Sequence, residues 1–266
     1  MPSLISRLAM PMTNNSSNVG VPHGPGSGLE AVVLAAGRGS RLFSVETLPK
    51  PVYAVEGRPL LARVVDGLQA AGVSTVHVVT GYGAGAVRKC PGVERDGLRV
   101  NWIDNPRFDE PNGLSLMCAR GAVGPRFLVS MSDHLFQHGA IARFAAGAPA
   151  DGEYLAVDYD LAGIFDMDDA TKVRTRDGNA IEAIGKDLDT FTAVDTGLFM
   201  LTPRVFDALE ESGRAGDHSL SGGIRRLAAR GLMRAWDIGG GKWLDVDTPD
   251  ASREAARLIR AGLIGG

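Results

Sequence analysis

A buried apolar run that breaks into a glycine loop constrains this chain more than any other feature. Ala31-Val-Val-Leu-Ala offers no polar side chain to water, so it reads as a strand covered on both faces. It runs into Leu34-Ala-Ala-Gly-Arg-Gly-Ser-Arg-Leu42, where Gly37 and Gly39 let backbone N–H groups approach an anion closely. Strands covered on both faces belong to parallel sheets flanked by helices, and the sequence downstream agrees. Residues 58–71 carry Leu60, Leu61, Val64, Val65 and Leu68 at helical spacing and stop at Gly72. Residues 75–80, 98–103 and 127–131 read as strands, and 112–122 and 140–146 as helices. The expected class is α/β, with a doubly wound, mostly parallel sheet.

The second half changes character. Residues 171–176 and 180–184 flank Asp177-Gly178 and predict a hairpin with a two-residue turn. A strand is expected over 194–201, helices over 204–211 and 220–229, and a short strand over 243–246. A helix with proline in its first turn is expected over 249–264. This predicts a small antiparallel insertion near residues 153–201 within one domain, 29–266. Residues 1–28 are breaker-rich and aperiodic and read as a disordered leader.

Composition excludes several classes. The chain has 266 residues with 28 basic and 31 acidic side chains, a net charge of −3, so it lacks the basic surface of a nonspecific nucleic-acid binder. Two distant cysteines, Cys90 and Cys118, make neither a metal knuckle nor a disulfide framework, and a reducing, cytoplasmic setting is expected. No apolar run approaches the roughly 20 residues of a membrane span.

The glycine loop matches neither common phosphate motif. Leu42 stands where a dinucleotide fingerprint needs its third glycine, and no Gly-Lys-Ser/Thr follows at P-loop spacing. What remains is a glycine turn followed by two cations, Arg41 and Lys50, which suits a triphosphate or is an ordinary turn with surface charges. Asp133 closes a predicted strand, at the sheet end where open α/β folds bind ligands. Asp245 and Asp247 alternate on one predicted strand and so share a face, which suits a hard cation such as Mg²⁺; alternatively Asp247 or Thr248 caps the next helix.

Leu34-Ala-Ala-Gly-x-Gly-Ser-Arg-Leu42, then Pro49-Lys50-Pro51, then Gly57-Arg-Pro-Leu-Leu61 together resemble the N-terminal signature of the sugar-phosphate nucleotidyltransferases, the MobA-like NTP transferases. The resemblance implies a Rossmann-like sheet and the joining of a nucleoside triphosphate to a phosphorylated small molecule. It implies nucleotide contacts from Leu34, Ala35, Ala36, Gly37, Gly39 and Ser40, and base reading by Asn112 and Gly113. Metal binding is implied for Asp133 and Asp245, with Asp247 as helper, and Mg²⁺ as cofactor. Ser132 stands where the family more often has glycine. Arg41, Lys50 and Lys186 are implied as catalytic cations. His134, Lys186, Asp195 and Thr196 are implied at the acceptor.

Ala170-Thr-Lys-Val-Arg174, Ile184-Gly-Lys-Asp-Leu188, Val194-Asp-Thr-Gly-Leu-Phe199 and Trp243-Leu-Asp-Val-Asp-Thr248 narrow the resemblance to the inositol-1-phosphate cytidylyltransferases. That implies CTP and myo-inositol 1-phosphate as substrates, CDP-inositol and pyrophosphate as products, and a role in phospholipid biosynthesis. Rival expectations are the same chemistry on phosphocholine, a phosphonate, or a sugar or cyclitol 1-phosphate, the same chemistry with another NTP, and a non-catalytic nucleotide-sugar sensor. No nucleic-acid partner is expected, and a homo-oligomer is left open.

Overall fold

The computed structural model describes residues 28–39, 41–42 and 48–265. The expected leader therefore lies outside the described residues apart from Gly28, and so does Ser40.

In chain order the elements are β1 (Leu29–Ala35), a small ribbon of β2 (Ala54–Val55) and β3 (Arg58–Pro59), α1 (Leu60–Ala70), β4 (Val73–Thr80), α2 (Ala84–Val87), β5 (Arg99–Asp104), α3 (Gly113–Met117) and β6 (Phe127–Met131). Then follow β7 (His134–Phe136), α4 (Ala140–Gly147), β8 (Glu153–Asp158), β9 (Lys172–Arg176), β10 (Ala180–Gly185), β11 (Ala193–Leu201), α5 (Arg204–Arg214), α6 (Leu220–Ala229), β12 (Met233–Asp237), β13 (Trp243–Asp245) and α7 (Pro249–Arg260).

Among the described residues nine strands form one sheet, ordered β5-β4-β1-β6-β11-β8-β12-β10-β9. The first four run parallel, and β11 enters antiparallel to β6 and β8. β9 returns to pair with the start of β11, so the far end of the sheet curls back on itself. This part is the antiparallel insertion expected from the sequence.

The uniform apolar run of β1 is explained by burial on both faces. Ala31, Val33 and Ala35 enter one core with α1, α4 and α7, while Val32 and Leu34 enter a second core with α3, α5 and α6. All of Ala31 to Ala36 are buried. At about 25 cal/mol per Å² of apolar surface, such double burial holds β1 in the interior of the sheet rather than at an edge.

Three local readings shift. The helix expected over 112–122 ends at Met117, and the chain turns through Gly121 at φ 82°. The hairpin connection has three residues, 177–179, with Asn179 at φ 61°, which is the geometry that the third residue of such a loop requires. Thr248 caps α7, its Oγ1 accepting the Ala251 N–H at 3.1 Å, which leaves Asp247 free for other work.

Candidate active site

Two strand ends bring the acids together. Asp133 follows β6 and directly precedes β7, which pairs antiparallel with β13 so that His134 lies opposite Asp245. The Val246 N–H donates to the Asp133 carbonyl at 3.1 Å and ties the chain beyond β13 to the same corner. Asp247 emerges one residue later.

Lys50 is delivered from the other side, on a 3-10 turn begun by Pro49 and closed by Tyr53 N–H donating to the Lys50 carbonyl. Two glycines make room for that turn. A Cβ on Gly39, at φ 69°, would stand 2.4 Å from the Lys50 Cβ, and one on Gly83, at φ 59°, would stand 2.2 Å from the Pro49 Cγ. Gly39 is thus needed for packing and for its left-handed backbone. Gly37 is different: an added Cβ would meet nothing, and its φ is ordinary. We expect Gly39→Ala to cost about 1–2 kcal/mol from backbone strain. Displacing Lys50 should also cut turnover at least about tenfold in a steady-state assay. Normal turnover in that variant would mean the loop does not hold Lys50.

With only 5% of its side chain exposed, Lys50 is the hub. Its Nζ lies 2.5 Å from Asp133 Oδ2 and 3.6 Å from Asp245 Oδ1, and it pairs with Asp247 as well. Burial opposes ionisation of Asp133, but Lys50 and His134 outweigh it and hold the acid well below the usual carboxylate range. Burial, joined by repulsion from Asp133, pushes Asp245 up. Asp245 Oδ1 is shielded from solvent yet has no hydrogen-bond partner among the described residues. Ligand atoms of Asp133, His134 and Asp245 fall within 4.8 Å of one another, as do those of Asp169, Asp245 and Asp247. Hard oxygens around an unsatisfied carboxylate fit a divalent cation.

A cleft of about 220 Å³ opens above this corner, lined by Arg41, Asn112, His134, Lys186, Asp195 and Trp243 among others. His134 Nδ1 meets Asp133 Oδ1 at 2.8 Å, and its ring stacks on Trp243 at 6.0 Å between centroids. Burial would lower the His134 pKa, but Asp245 and Asp133 prevail and raise it. Trp243 Nε1 in turn donates to Asp158 Oδ2 at 2.8 Å. Arg41 pairs with Asp247 and, at 2.5 Å, with Asp169; Lys186 Nζ reaches Asp169 at 2.6 Å.

Asp195 accepts the Gly197 N–H at 2.7 Å, and burial pushes its pKa up to about 6. A carboxyl raised from 3.8 costs nothing below its unfolded pKa, and its burdensome charge appears as pH rises through 6. Asp195→Asn should therefore stabilise the fold by about 1–3 kcal/mol at pH 7.5, with the gain shrinking towards zero at pH 4. Urea unfolding at both pH values checks this; a gain independent of pH would refute the electrostatic cause.

Two expectations are corrected. Thr196 is fully buried and its Oγ1 donates to the Ala156 carbonyl at 2.7 Å, so it does not line the acceptor cleft. The alternation of β11 explains this: with Asp195 and Gly197 facing the cleft, the residue between them faces the core. Gly113 is also buried, and a Cβ there would stand 2.4 Å from the His218 carbonyl oxygen, so this glycine serves the contact of α3 with the start of α6. Asn112 lines the cleft, and its Oδ1 accepts the Leu220 N–H at 3.0 Å. Leu34, Ala35 and Ala36 bury their side chains, which leaves only backbone for a ligand. Sequence reasoning missed Asp158, Asp169, Trp243 and Lys242, all in the cleft wall. The acidic run Asp166-Met-Asp-Asp169 was the available signal for Asp169.

Residues 31–230 match the MobA-like NTP transferase domain. The chain is 32% identical over 238 residues to the bifunctional IPC transferase and DIPP synthase of Aquifex aeolicus (strain VF5), covering 89% of this chain and 53% of that protein. It is 34% identical over 243 residues to the CMP-5'-(3-aminopropyl)phosphonate synthase of Streptomyces rubellomurinus (strain ATCC 31215), covering 85% of this chain and 38% of that one. It therefore spans about half the length, or less, of these relatives. The solved inositol-1-phosphate CTP transferase from T. maritima superposes with a TM-score of 0.78 at 25% identity, covering 90% of this chain and 97% of that one. No helix among the described residues is long and apolar enough to cross a membrane. With a mixed α/β sheet, a glycine loop at the end of β1 and a match over most of its length, the chain belongs to the MobA-like NTP transferase family of nucleotidyltransferases.

Proposed function

We propose that this protein joins CTP to myo-inositol 1-phosphate, giving CDP-inositol and pyrophosphate. The observation that carries the chemistry is the convergence of Asp133, Asp245 and Asp247 on buried Lys50, beneath a cleft rimmed by Arg41 and Lys186. The choice of substrates rests on the inositol-1-phosphate CTP transferase from T. maritima, which is similar over nearly its whole length.

An oxygen of the acceptor phosphate attacks the α-phosphorus of CTP. The bond from that phosphorus to the bridging oxygen breaks, and the electron pair leaves with pyrophosphate. No covalent enzyme intermediate is required. Asp133, Asp245 and Asp247 would hold Mg²⁺, which when bound neutralises phosphate charge. Lys50 and Arg41 stabilise the charge that gathers on the leaving pyrophosphate. The open space at Gly37 supports backbone approach of a phosphate there. Lys186 orients the acceptor phosphate, and Asp195 accepts hydrogen bonds from acceptor hydroxyls. Asn112 faces the nucleotide base.

A second reading, the same transfer to a phosphonate, is favoured by the likeness to the Streptomyces enzyme. Pyrophosphate release with Mg²⁺ distinguishes them, crossing CTP, UTP, GTP, ATP and dTTP with inositol 1-phosphate, glucose 1-phosphate, phosphocholine and aminoethylphosphonate. Release confined to CTP with inositol 1-phosphate is expected. Release with another pair would retain the chemistry and replace the substrates. Folded protein that binds nucleotide and releases nothing would refute catalysis and favour a sensor.

A further inference from the structure

Asp169 bridges two cations that serve different substrates in the proposed reaction. Its Oδ2 lies 2.5 Å from Arg41 Nη1, and its Oδ1 lies 2.6 Å from Lys186 Nζ. Arg41 comes from the glycine loop on the triphosphate side. Lys186 comes from the end of β10 on the acceptor side. Both side chains are about half exposed, so an arriving anion can reach them. Burial opposes ionisation of Asp169, but hydrogen bonds from Lys186 and Arg41 prevail and hold it below the usual carboxylate range.

Asp169 also belongs to the segment between β8 and β9 that forms one wall of the cleft, together with Ile164, Phe165 and Asp166. Phe165 is 48% exposed on that wall. The segment is anchored at its start by Asp158, which accepts the Asp160 N–H and the Trp243 indole N–H, and at its end by Thr171, whose carbonyl accepts the Asp195 N–H. Between those anchors, among the described residues, the Asp169 bridge is what links it across the cleft.

Resting on the nucleotidyltransferase reading of this cleft, we propose that Asp169 is a positioning residue that stands in for substrate phosphate. It holds Arg41 and Lys186 together before substrates bind, and the incoming phosphates displace it. The two subsites are thereby coupled. A triphosphate that takes Arg41 leaves Asp169 with a single exposed partner, and an exposed pair of this kind contributes little. Lys186 is then released more readily to the acceptor, and by linkage the acceptor favours the triphosphate equally. The carboxylate costs affinity for whichever substrate binds first and costs less for the second.

The test uses the full chain and anions that require no assumption about base or acceptor. Inorganic pyrophosphate binding is measured by calorimetry in EDTA, with and without inorganic phosphate. Asp169→Asn keeps the size and the acceptor oxygen but removes the charge. It is expected to bind pyrophosphate about 3–10-fold more tightly than the wild type. Phosphate should assist pyrophosphate binding more in the wild type than in the variant; this comparison cancels repulsion between the two anions. Asp169→Ala should move in the same direction, and thermal unfolding verifies that both variants fold. Equal or weaker pyrophosphate binding in both variants would overturn the proposal, because a merely structural Asp169 predicts that sign. Weaker binding confined to Mg²⁺ buffer, with no gain in EDTA, would overturn it in favour of Asp169 as a metal ligand. If CTP and inositol 1-phosphate give no product while the gain persists, the substrate assignment fails and the bridge stands.

Discussion

Lys50→Ala should lower turnover by roughly 100-fold, the usual scale for removing one preorganised charge from a phosphate-transfer site. The same change should weaken the fold in metal-free buffer. Lys50 neutralises Asp133 and Asp247 directly and stands 3.6 Å from Asp245. Without it, three partly buried carboxylates lose their counter-charge. Breaking a fully buried pair costs about 3–5 kcal/mol, and the partial exposure of these acids reduces that to about 1–3 kcal/mol. Added Mg²⁺ should restore the stability, because a cation among the carboxylates replaces the ammonium, but should leave turnover low. Urea unfolding in EDTA and in Mg²⁺, beside pyrophosphate-release kinetics, separates the two effects. Near-normal turnover would remove Lys50 from the mechanism. A stability loss untouched by Mg²⁺ would argue against a cation at this corner.

Asp133→Ala and Asp245→Asn should each lower turnover by about 100-fold or more, yet shift stability in opposite directions. Asp133 is ionised against its burial because Lys50 and His134 favour the charge. Its folded pKa is depressed, so its contribution is present above the unfolded value of about 4 and is lost as pH falls through the folded one. Removing it at pH 7 should destabilise. Asp245 is raised by burial and by repulsion from Asp133. Its charge is a cost that appears as pH rises through its folded pKa, and Asp245→Asn should stabilise the metal-free protein at pH 7. Such a residue, costly to the fold, is what a site that needs a cation looks like. Denaturation at pH 7 in EDTA measures both signs. If the two variants shift stability the same way, the electrostatic account of this corner is wrong.

Much of this was legible before any coordinates. The continuous apolar run of β1 could only be covered on both faces, and helical spacing located α1, α5 and α6 within a few residues. Leu34-Ala-Ala-Gly-Arg-Gly, Pro49-Lys50-Pro51 and Trp243-Leu-Asp-Val-Asp carried the family and the cation-and-acid chemistry. Short strands were harder. β7 has three residues and β12 reads Met-Arg-Ala-Trp-Asp, and neither is long enough to display a period against its surroundings.

The sequence by itself determined the architecture and the inventory of charges, because burial on two faces, helical period and motif spacing are local properties of the chain. Only the tertiary structure decided how those charges are partnered. Arg41 and Asp247 meet across 206 positions, and Asp158 and Trp243 across 85. Thr196 turned inward because pairing β11 with β8 committed it to the core, and Gly113 became a packing residue because α6 begins against it. Coulomb attraction and hydrogen bonding act over a few ångströms, and which groups come that close is set by where strands end and how they pair, which no local pattern encodes.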